Sequence, residues 1–197
     1  MSDPTRTYYS ENAQEFYDGT VNLDMGYQYK SFLKMIPKGG KILDAGCGSG
    51  RDSLYFKKKG YMLVAFDNSE ALVKLASDLI GSSVLHMSFN DVAFIEEFDG
   101  VWACASLLHV PKNKMEGAIA KLVKALKSDG ILYVSFKYGD KEEVRKGRLF
   151  SDYTESSFQA LIKNISSLKI IKHWKTEDVR PKRKGEYWLN VLMRKEI

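Results

Sequence analysis

The amino-acid sequence predicts an α/β protein. The expected core is a doubly wound sheet of seven strands, mostly parallel with one antiparallel edge strand, and helices on both faces. Three observations carry this expectation. Short apolar runs alternate with helical patterns along most of the chain. A glycine-rich stretch, KILDAGCGSGRDS (41–53), joins the first apolar run of that series to a helix. The last two apolar runs flank a short basic turn, so they form a hairpin and one of them must run backwards. The chain has 197 residues, 44% of them hydrophobic and 28% charged, which suits a single domain (1–197) with a substantial core.

Taken in order, Ser10 reads as the cap of a first helix whose apolar face carries Ala13, Phe16, Tyr17 and Thr20. Met25, Tyr29, Phe32, Leu33 and Ile36 share one face of a second helix, stopped by Pro37 and two glycines. Residues 1–37 thus make a helical cap ahead of the sheet. The strands are KILDAG, YMLVAFD, SVLHM, GVWACASL and GILYVSFKY, with helices at 52–59, 69–80 and 112–127 between them. The third of these helices repeats Met115, Ala118, Ile119, Leu122, Val123 and Leu126 at helical spacing and ends at SDG. Gly60 and Gly130 stand where a helix must turn back into a strand. The stretch GDKEEVRKGRLFSDY (139–153) has no period, which predicts a charged loop on the substrate side, at the edge where open α/β sheets bind ligands. A helix at 154–164 and the strands LKIIKHWKTED and EYWLNVLMRK complete the chain.

Several function classes are disfavoured. Cys47 and Cys104 are the only cysteines, without a CxxC pair or Cys/His cluster, so neither a disulfide framework nor a metal site is expected, and a reducing cytoplasm is the expected setting. No apolar run reaches the length of a membrane span, and the polar start MSDPTRTYYS lacks the apolar core of a signal peptide. The net charge of +5 raises the question of a nucleic-acid partner. Most lysines, however, share helix faces with glutamates, as solvated charge does. The exception is VRPKRKG (179–185), with four cations in seven residues.

The glycine loop follows a strand and opens a helix, the arrangement of a nucleotide site. A dinucleotide would want GxGxxG, but Arg51 occupies the place of that third glycine and the spacing is Gly46, Gly48, Gly50. Asp44 would repel a pyrophosphate and attract a cationic ligand. S-adenosylmethionine, with an ammonium and a sulfonium and no phosphate, is such a ligand. LDAGCGSGRDS resembles the first motif of the class I S-adenosylmethionine-dependent methyltransferases, whose acidic-x-Gly-x-Gly-x-Gly pattern it matches without a gap. The resemblance runs from about residue 38 to the end. With Arg51 and Ser53 after the glycines, the form is most similar to a small-molecule branch that includes tellurite-resistance-type methyltransferases.

That resemblance implies a Rossmann-like fold, S-adenosylmethionine as cofactor and S-adenosylhomocysteine as product. It places Asp44, Gly46, Cys47, Gly48, Gly50 and Arg51 around the cofactor, with Cys47 a small filler and not a nucleophile. Asp67, at the end of strand two, stands where the family's carboxylate accepts both ribose hydroxyls; the plainer role is a helix cap before Glu70. Asn68 would line the adenine. Asp91 would face the adenine amino group with Asn90 beside it, or the two simply form a turn. Ser106 would pass under the methionine part. Tyr8 and Tyr9 would reach the methionine end from an N-terminal lid, or only pack against the sheet.

Methyl transfer from a sulfonium is an in-line displacement that positioning alone can drive. His109 is the one histidine near the expected active edge, as a base, a substrate contact or a hydrogen-bonding residue of the Pro111 loop. His86 and His173 receive no role. On the acceptor side, Lys137, Tyr138, Arg145, Arg148, Tyr153, Arg180 and Arg183 converge, with Trp188 as a wall, which predicts a small anionic or oxyanion-bearing acceptor. Two competing readings are an RNA or protein methyltransferase and a non-catalytic cofactor-binding regulatory module. Against a base-amine methyltransferase, SLLHV stands where such enzymes carry Asn/Asp-Pro-Pro-aromatic.

Overall fold

The computed structural model of the chain describes residues 4–180 and 183–196; Pro181 and Lys182 of the basic turn lie outside them. Five strands run parallel: β1 (Lys41–Ala45), β2 (Met62–Asp67), β3 (Leu85–His86), β4 (Phe98–Ala103) and β5 (Leu126–Lys137). The chain closes with β8 (Leu168–Glu177) and β9 (Tyr187–Lys195), giving the seven-stranded order β3-β2-β1-β4-β5-β9-β8. The expected antiparallel edge is a hairpin. Its inner strand β9 is the reversed one, paired antiparallel to both β5 and β8, and β8 lies outermost. Winding changes direction between β1 and β4, which opens a crevice at their carboxyl ends.

Helices α4 (Arg51–Lys58), α5 (Glu70–Ile80) and α6 (Lys112–Ala125) are the crossovers, preceded by α1 (Pro4–Glu11), α2 (Ala13–Thr20) and α3 (Gly26–Leu33) and followed by α7 (Glu155–Ile162). Each face of the sheet buries its own core. On one face, Met115, Ile119 and Leu122 of α6 and Phe158 of α7 pack on Leu43, Val101 and Val134. On the other, Tyr29 and Phe32 of α3 and Phe56 of α4 surround Trp102, which stacks on its cross-strand neighbour Tyr133 at 3.9 Å. Caps set two helix starts: Ser69 Oγ accepts from Leu72 N, and Thr154 and Ser157 form a capping box before α7. Among the described residues, no helix is long and apolar enough to cross a membrane.

Three expectations need correction. Ser10 caps nothing; it lies inside α1, a helix whose described part starts at Pro4, and Asn12 holds the N-cap position of α2. β5 begins at Leu126, inside the stretch expected to be helical: Leu126 is already extended and pairs with Phe98, and Asp129, with φ 61°, lies in the register shift before the pairing resumes at Ile131. Residues 139–153 are not an irregular loop. They hold a β-hairpin, β6 (Glu142–Arg145) and β7 (Arg148–Ser151), joined by the two-residue turn Lys146-Gly147. Both turn residues have positive φ, 50° and 77°, as a type I′ turn demands. Leu149 N donates to Thr5 Oγ1 (3.0 Å) and Ser151 Oγ to Val110 O (2.8 Å), so this hairpin is tied to α1 and to the segment after β4.

The glycine loop is held just as closely. Gly46 N and Cys47 N both donate to Phe66 O at 2.9 Å. Gly46 has φ 77°, and a Cβ there would stand 2.5 Å from Ser106 Cβ. Gly46→Ala is therefore predicted to cost about 2–3 kcal/mol from clash and backbone strain together. Adding Ser106→Gly should return about 1 kcal/mol of it, since the two positions couple through that one approach. Urea midpoints of the wild type, both single variants and the double variant check this.

Candidate active site

The crevice at the carboxyl ends of the strands divides into two lobes. The first, about 450 Å³, is a size typical of small-molecule sites. It runs from Asp67 and Asn68 at the end of β2 past Phe89 and Asn90 to Ser106. The second lies between the glycine loop, the ends of β4 and β5, and the turn after β8. Six residues line both lobes: Tyr9, Phe16, Gly46, Gly48, Ala105 and His109. Helices α1 and α2 thus supply a roof over the junction, through Tyr9 and Phe16. Ala105 has φ 53°, a conformation few non-glycine residues hold, and its N–H donates to Ser135 Oγ at 2.8 Å.

Asp67 is fixed by the loop it faces. Its Oδ2 accepts from Gly48 N and its Oδ1 from Ser69 N, each at 2.9 Å. Burial raises its pKa, partly countered by the backbone hydrogen bonds of Ser69, Gly48 and Asn68. Asp44 does not reach either lobe. It lies under the loop, accepts from Ser53 Oγ at 2.6 Å, and has its pKa raised by burial and by the neighbouring Asp52 charge. Cys47 lines the second lobe, and burial pushes its thiol well up, which leaves it a poor nucleophile.

Asp52, one residue past Arg51, was not anticipated. Its carboxylate accepts from Arg51 Nε (2.6 Å), Arg51 Nη2 (3.0 Å), Tyr29 Oη (2.5 Å) and Trp102 Nε1 (2.8 Å). Burial opposes its ionisation, but the Arg51 charge and these hydrogen bonds outweigh it and hold the pKa below the usual carboxylate range. This one group ties the loop-helix junction to α3 and to the sheet. Ser135 and Asn190, directly opposed on β5 and β9, also line the second lobe and were also missed. Their signal was a polar residue inside an apolar strand, in YVSFK and WLNVL.

His109 is held by the 139–153 hairpin and the roof. Its Nδ1 lies 2.6 Å from Leu149 O, and its Nε2 lies 2.8 Å from Tyr9 Oη. Arg148, on the same hairpin, is only 8% exposed and lines the second lobe. It stacks on Tyr8 (4.2 Å) and sets Nη1 3.4 Å from Tyr9 Oη, and its Nε has no hydrogen-bond partner.

The other expected cations of the acceptor side behave differently. Lys137 is buried, sits 4.3 Å over the Trp188 ring, and pairs with Asp178 (2.8 Å) and Glu186 (2.6 Å). Arg180 binds Asp178 through both Nε (2.8 Å) and Nη2 (2.6 Å), and Arg183 pairs with Glu186 (3.2 Å). All three line the lobe, and each is paired with one or both of two shared carboxylates, Asp178 and Glu186. Asp178 is thereby held well below the ordinary carboxylate range: burial alone would raise it, and Arg180 and Lys137 more than reverse that.

Some expected residues stand apart from the lobes. Tyr138 donates to Glu155 (2.8 Å), and Arg145 pairs with Asp152 and Glu143. Tyr153 packs against Phe136 and Phe158, and Tyr8 packs behind Arg148. Asp91 is exposed and serves the turn of Phe89–Asp91, accepting from Ser88 N (2.8 Å) and Ser88 Oγ (2.6 Å). Gly50 is a packing residue: a Cβ there would meet Ala76 of α5 at 3.0 Å. Among the described residues, no group of three His, Cys, Asp or Glu side chains is placed to hold a metal ion.

Known proteins share this architecture. Residues 42–130 match the family model of the methyltransferase domain. An uncharacterised methyltransferase of Staphylococcus carnosus is 25% identical over 159 residues, covering 77% of this chain and 76% of that protein. Two further methyltransferase relatives, 32% and 30% identical, are longer, and the chain spans only 28% and 52% of them. Among solved structures, the 1,6-didemethyltoxoflavin-N1-methyltransferase of Burkholderia thailandensis, with its substrate and S-adenosylhomocysteine bound, superposes with a TM-score of 0.79. That match is 20% identical and covers 98% of this chain and 87% of that one. A TehB-like S-adenosylmethionine-dependent methyltransferase of Corynebacterium glutamicum gives 0.72 at 22% identity, covering 96% of this chain and 100% of that one. The fold is that of the S-adenosylmethionine-dependent methyltransferases.

Proposed function

We propose that the protein transfers a methyl group from S-adenosylmethionine to a small acceptor by in-line displacement, catalysed mainly by positioning. The observation that carries this reading is the pair of lobes meeting under Tyr9 and Phe16 at the glycine loop. In this reading the adenosine fills the first lobe, with its ribose diol on Asp67. The aminocarboxylate enters the second lobe beside Arg51 and the loop, and the sulfonium sits at the junction. The acceptor fills the rest of the second lobe, walled by Leu108, Phe150 and Trp188. Enclosure by the roof excludes water from the donor, and alignment across the junction does the remaining work.

Two ribose hydroxyls donate best to an ionised Asp67. Asp67→Ala is predicted to weaken S-adenosylhomocysteine binding by about 1.5–3 kcal/mol, the scale of hydrogen bonds to a charged group. The pH dependence has a defined sign. Burial raises the pKa of the empty protein's Asp67, and bound hydroxyls lower it, so binding releases protons. Affinity should be full above the raised pKa and decline as pH falls through it, whereas Asp67→Asn should flatten that decline. Calorimetric titrations of S-adenosylhomocysteine between pH 8 and pH 5 measure both effects.

On the acceptor side, Lys137, Arg180 and Arg183 are each engaged in ion pairs, and Arg148, which no carboxylate pairs with among the described residues, is the cation best placed to meet an anionic group. Incubation with methyl-labelled S-adenosylmethionine and separate pools of metabolites, tRNA and protein tests the reading. Label should enter the metabolite pool. Arg148→Ala should raise the acceptor KM about 10-fold or more while S-adenosylhomocysteine affinity changes little. Label confined to tRNA or protein would refute the small-acceptor reading, and none in any pool would favour a non-catalytic module.

A further inference from the structure

Tyr9 and His109 are the only titratable side chains among the six residues that line both lobes. The junction is also where the proposed function puts the sulfonium, and therefore the methyl group in flight. Their mutual geometry fixes which atom carries which proton. A backbone carbonyl has no hydrogen to give, so the 2.6 Å contact between His109 Nδ1 and Leu149 O requires Nδ1 to donate. The neutral imidazole then has its lone pair on Nε2, and that atom faces Tyr9 Oη at 2.8 Å. Tyr9 is thus the donor, and its oxygen, which also accepts from Arg148 Nη1 at 3.4 Å, keeps one further lone pair. This orientation comes from three separate elements: α1 carries Tyr9, the turn Leu107–His109 carries the imidazole, and β7 supplies the carbonyl. The hydrogen bond from Leu149 N to Thr5 Oγ1 fastens β7 to α1 and holds all three in register.

We propose that Tyr9 and His109 form a proton relay in which Tyr9 takes the proton of the acceptor and passes its own to His109, so that the accepting atom is a hydroxyl oxygen or an N–H nitrogen. The inference rests on the methyl-transfer reading of the preceding subsection and deepens it. As the acceptor atom X attacks the methyl carbon, the X–C bond forms and the C–S bond breaks, with its electron pair going to sulfur. The X–H proton moves to Tyr9 Oη while the Tyr9 proton moves to His109 Nε2. The products are the methylated acceptor, S-adenosylhomocysteine and an imidazolium, which loses its proton to solvent when the site opens. Thioethers, aromatic ring nitrogens without hydrogen, and carboxylates need no such relay and fall outside the class.

The charged groups around the pair suit this sequence. Arg148 Nη1 lies 3.4 Å from Tyr9 Oη and favours negative charge developing on the phenol or the acceptor. Burial raises the Tyr9 pKa and Arg148 offsets this in part, so the phenol is protonated at rest and ready to donate. Asp67 and Tyr8 act on Tyr9 in the opposite sense to Arg148, and Arg6 and Lys114 line the first lobe beside it. The ring of Phe150 packs 5.0 Å from the imidazole and shields it from water on that side.

Two measurements test the relay. In the complex with S-adenosylhomocysteine, nitrogen-15 NMR of histidine-labelled protein should show His109 protonated at Nδ1 and bare at Nε2. Tyr9→Phe should raise the His109 pKa, because the lost hydrogen bond favoured the neutral ring. The second measurement follows initial rates of label transfer from S-adenosylmethionine into deproteinised cell extract. Wild-type rate should fall with decreasing pH at the midpoint that NMR gives for His109. Tyr9→Phe and His109→Gln should each lose about 100- to 10,000-fold in rate and that pH dependence, while S-adenosylhomocysteine affinity stays within about threefold. The relay is wrong if Nε2 carries the proton at neutral pH, if both variants keep wild-type rates, or if the labelled product is methylated on an atom that bore no hydrogen. Absence of both S-adenosylhomocysteine binding and label transfer in the wild type would instead refute the methyltransferase reading, and the tautomer would still decide the relay's geometry.

Discussion

The active edge depends on how tightly the loop after β1 is pinned between the ends of β2 and β4. Phe66 O takes two consecutive N–H groups of that loop, Asp67 takes a third from Gly48, and Ser106 Oγ reaches Ala45 O at 2.6 Å. A side chain at Gly46 would collide with Ser106, so the loop lies flat against β4 only because glycine is there. These contacts set the width of the crevice, aim Asp67 into it, and leave the junction floored by bare backbone. Asp52 then locks the far end of the loop by accepting from Arg51, Tyr29 and Trp102 at once. Removing one partner of such a buried cluster would strand the others, which is where the steep cost of buried charge lies.

Charge in the second lobe is arranged for shape. Asp178 collects Lys137, Arg180 and the Trp188 indole, so the turn after β8 is riveted over the lobe by a saturated carboxylate. Three cations that look like anion receptors in the sequence are therefore each engaged with a carboxylate. Arg148 differs because its neighbours are aromatic rings and a phenol, and among the described residues no carboxylate pairs with it. A cation stacked on rings and kept from water interacts more strongly with an approaching anion than one already neutralised.

Much of this was legible because it is local. The alternation of apolar runs and amphipathic helices gave the sheet, and Gly46, Gly48 and Asp67, which line the crevice, stood out without any tertiary information. What escaped was either diluted or distant. In GDKEEVRKGRLFSDY, charges at both inward and outward positions hide the period of two, and only Lys146-Gly147 betrays the hairpin. The pairing of Lys137 with Asp178 spans 41 residues and arises only when β8 folds back along β9. Asp91 shows a position that the sequence leaves open between an adenine contact and a turn. Its position after β3 fits the family's adenine contact, yet the local capping hydrogen bonds with Ser88 claim the carboxylate first.

The crevice suits a sulfonium nucleoside donor and not a pyrophosphate dinucleotide. The loop departs from the dinucleotide pattern at Arg51, which stands where that pattern carries its third glycine. Calorimetry on the wild-type protein with S-adenosylhomocysteine and with NAD, side by side in one buffer, tests this most directly. Saturable one-to-one binding of S-adenosylhomocysteine and no measurable heat from NAD are expected. Tight NAD binding with none for S-adenosylhomocysteine would contradict it.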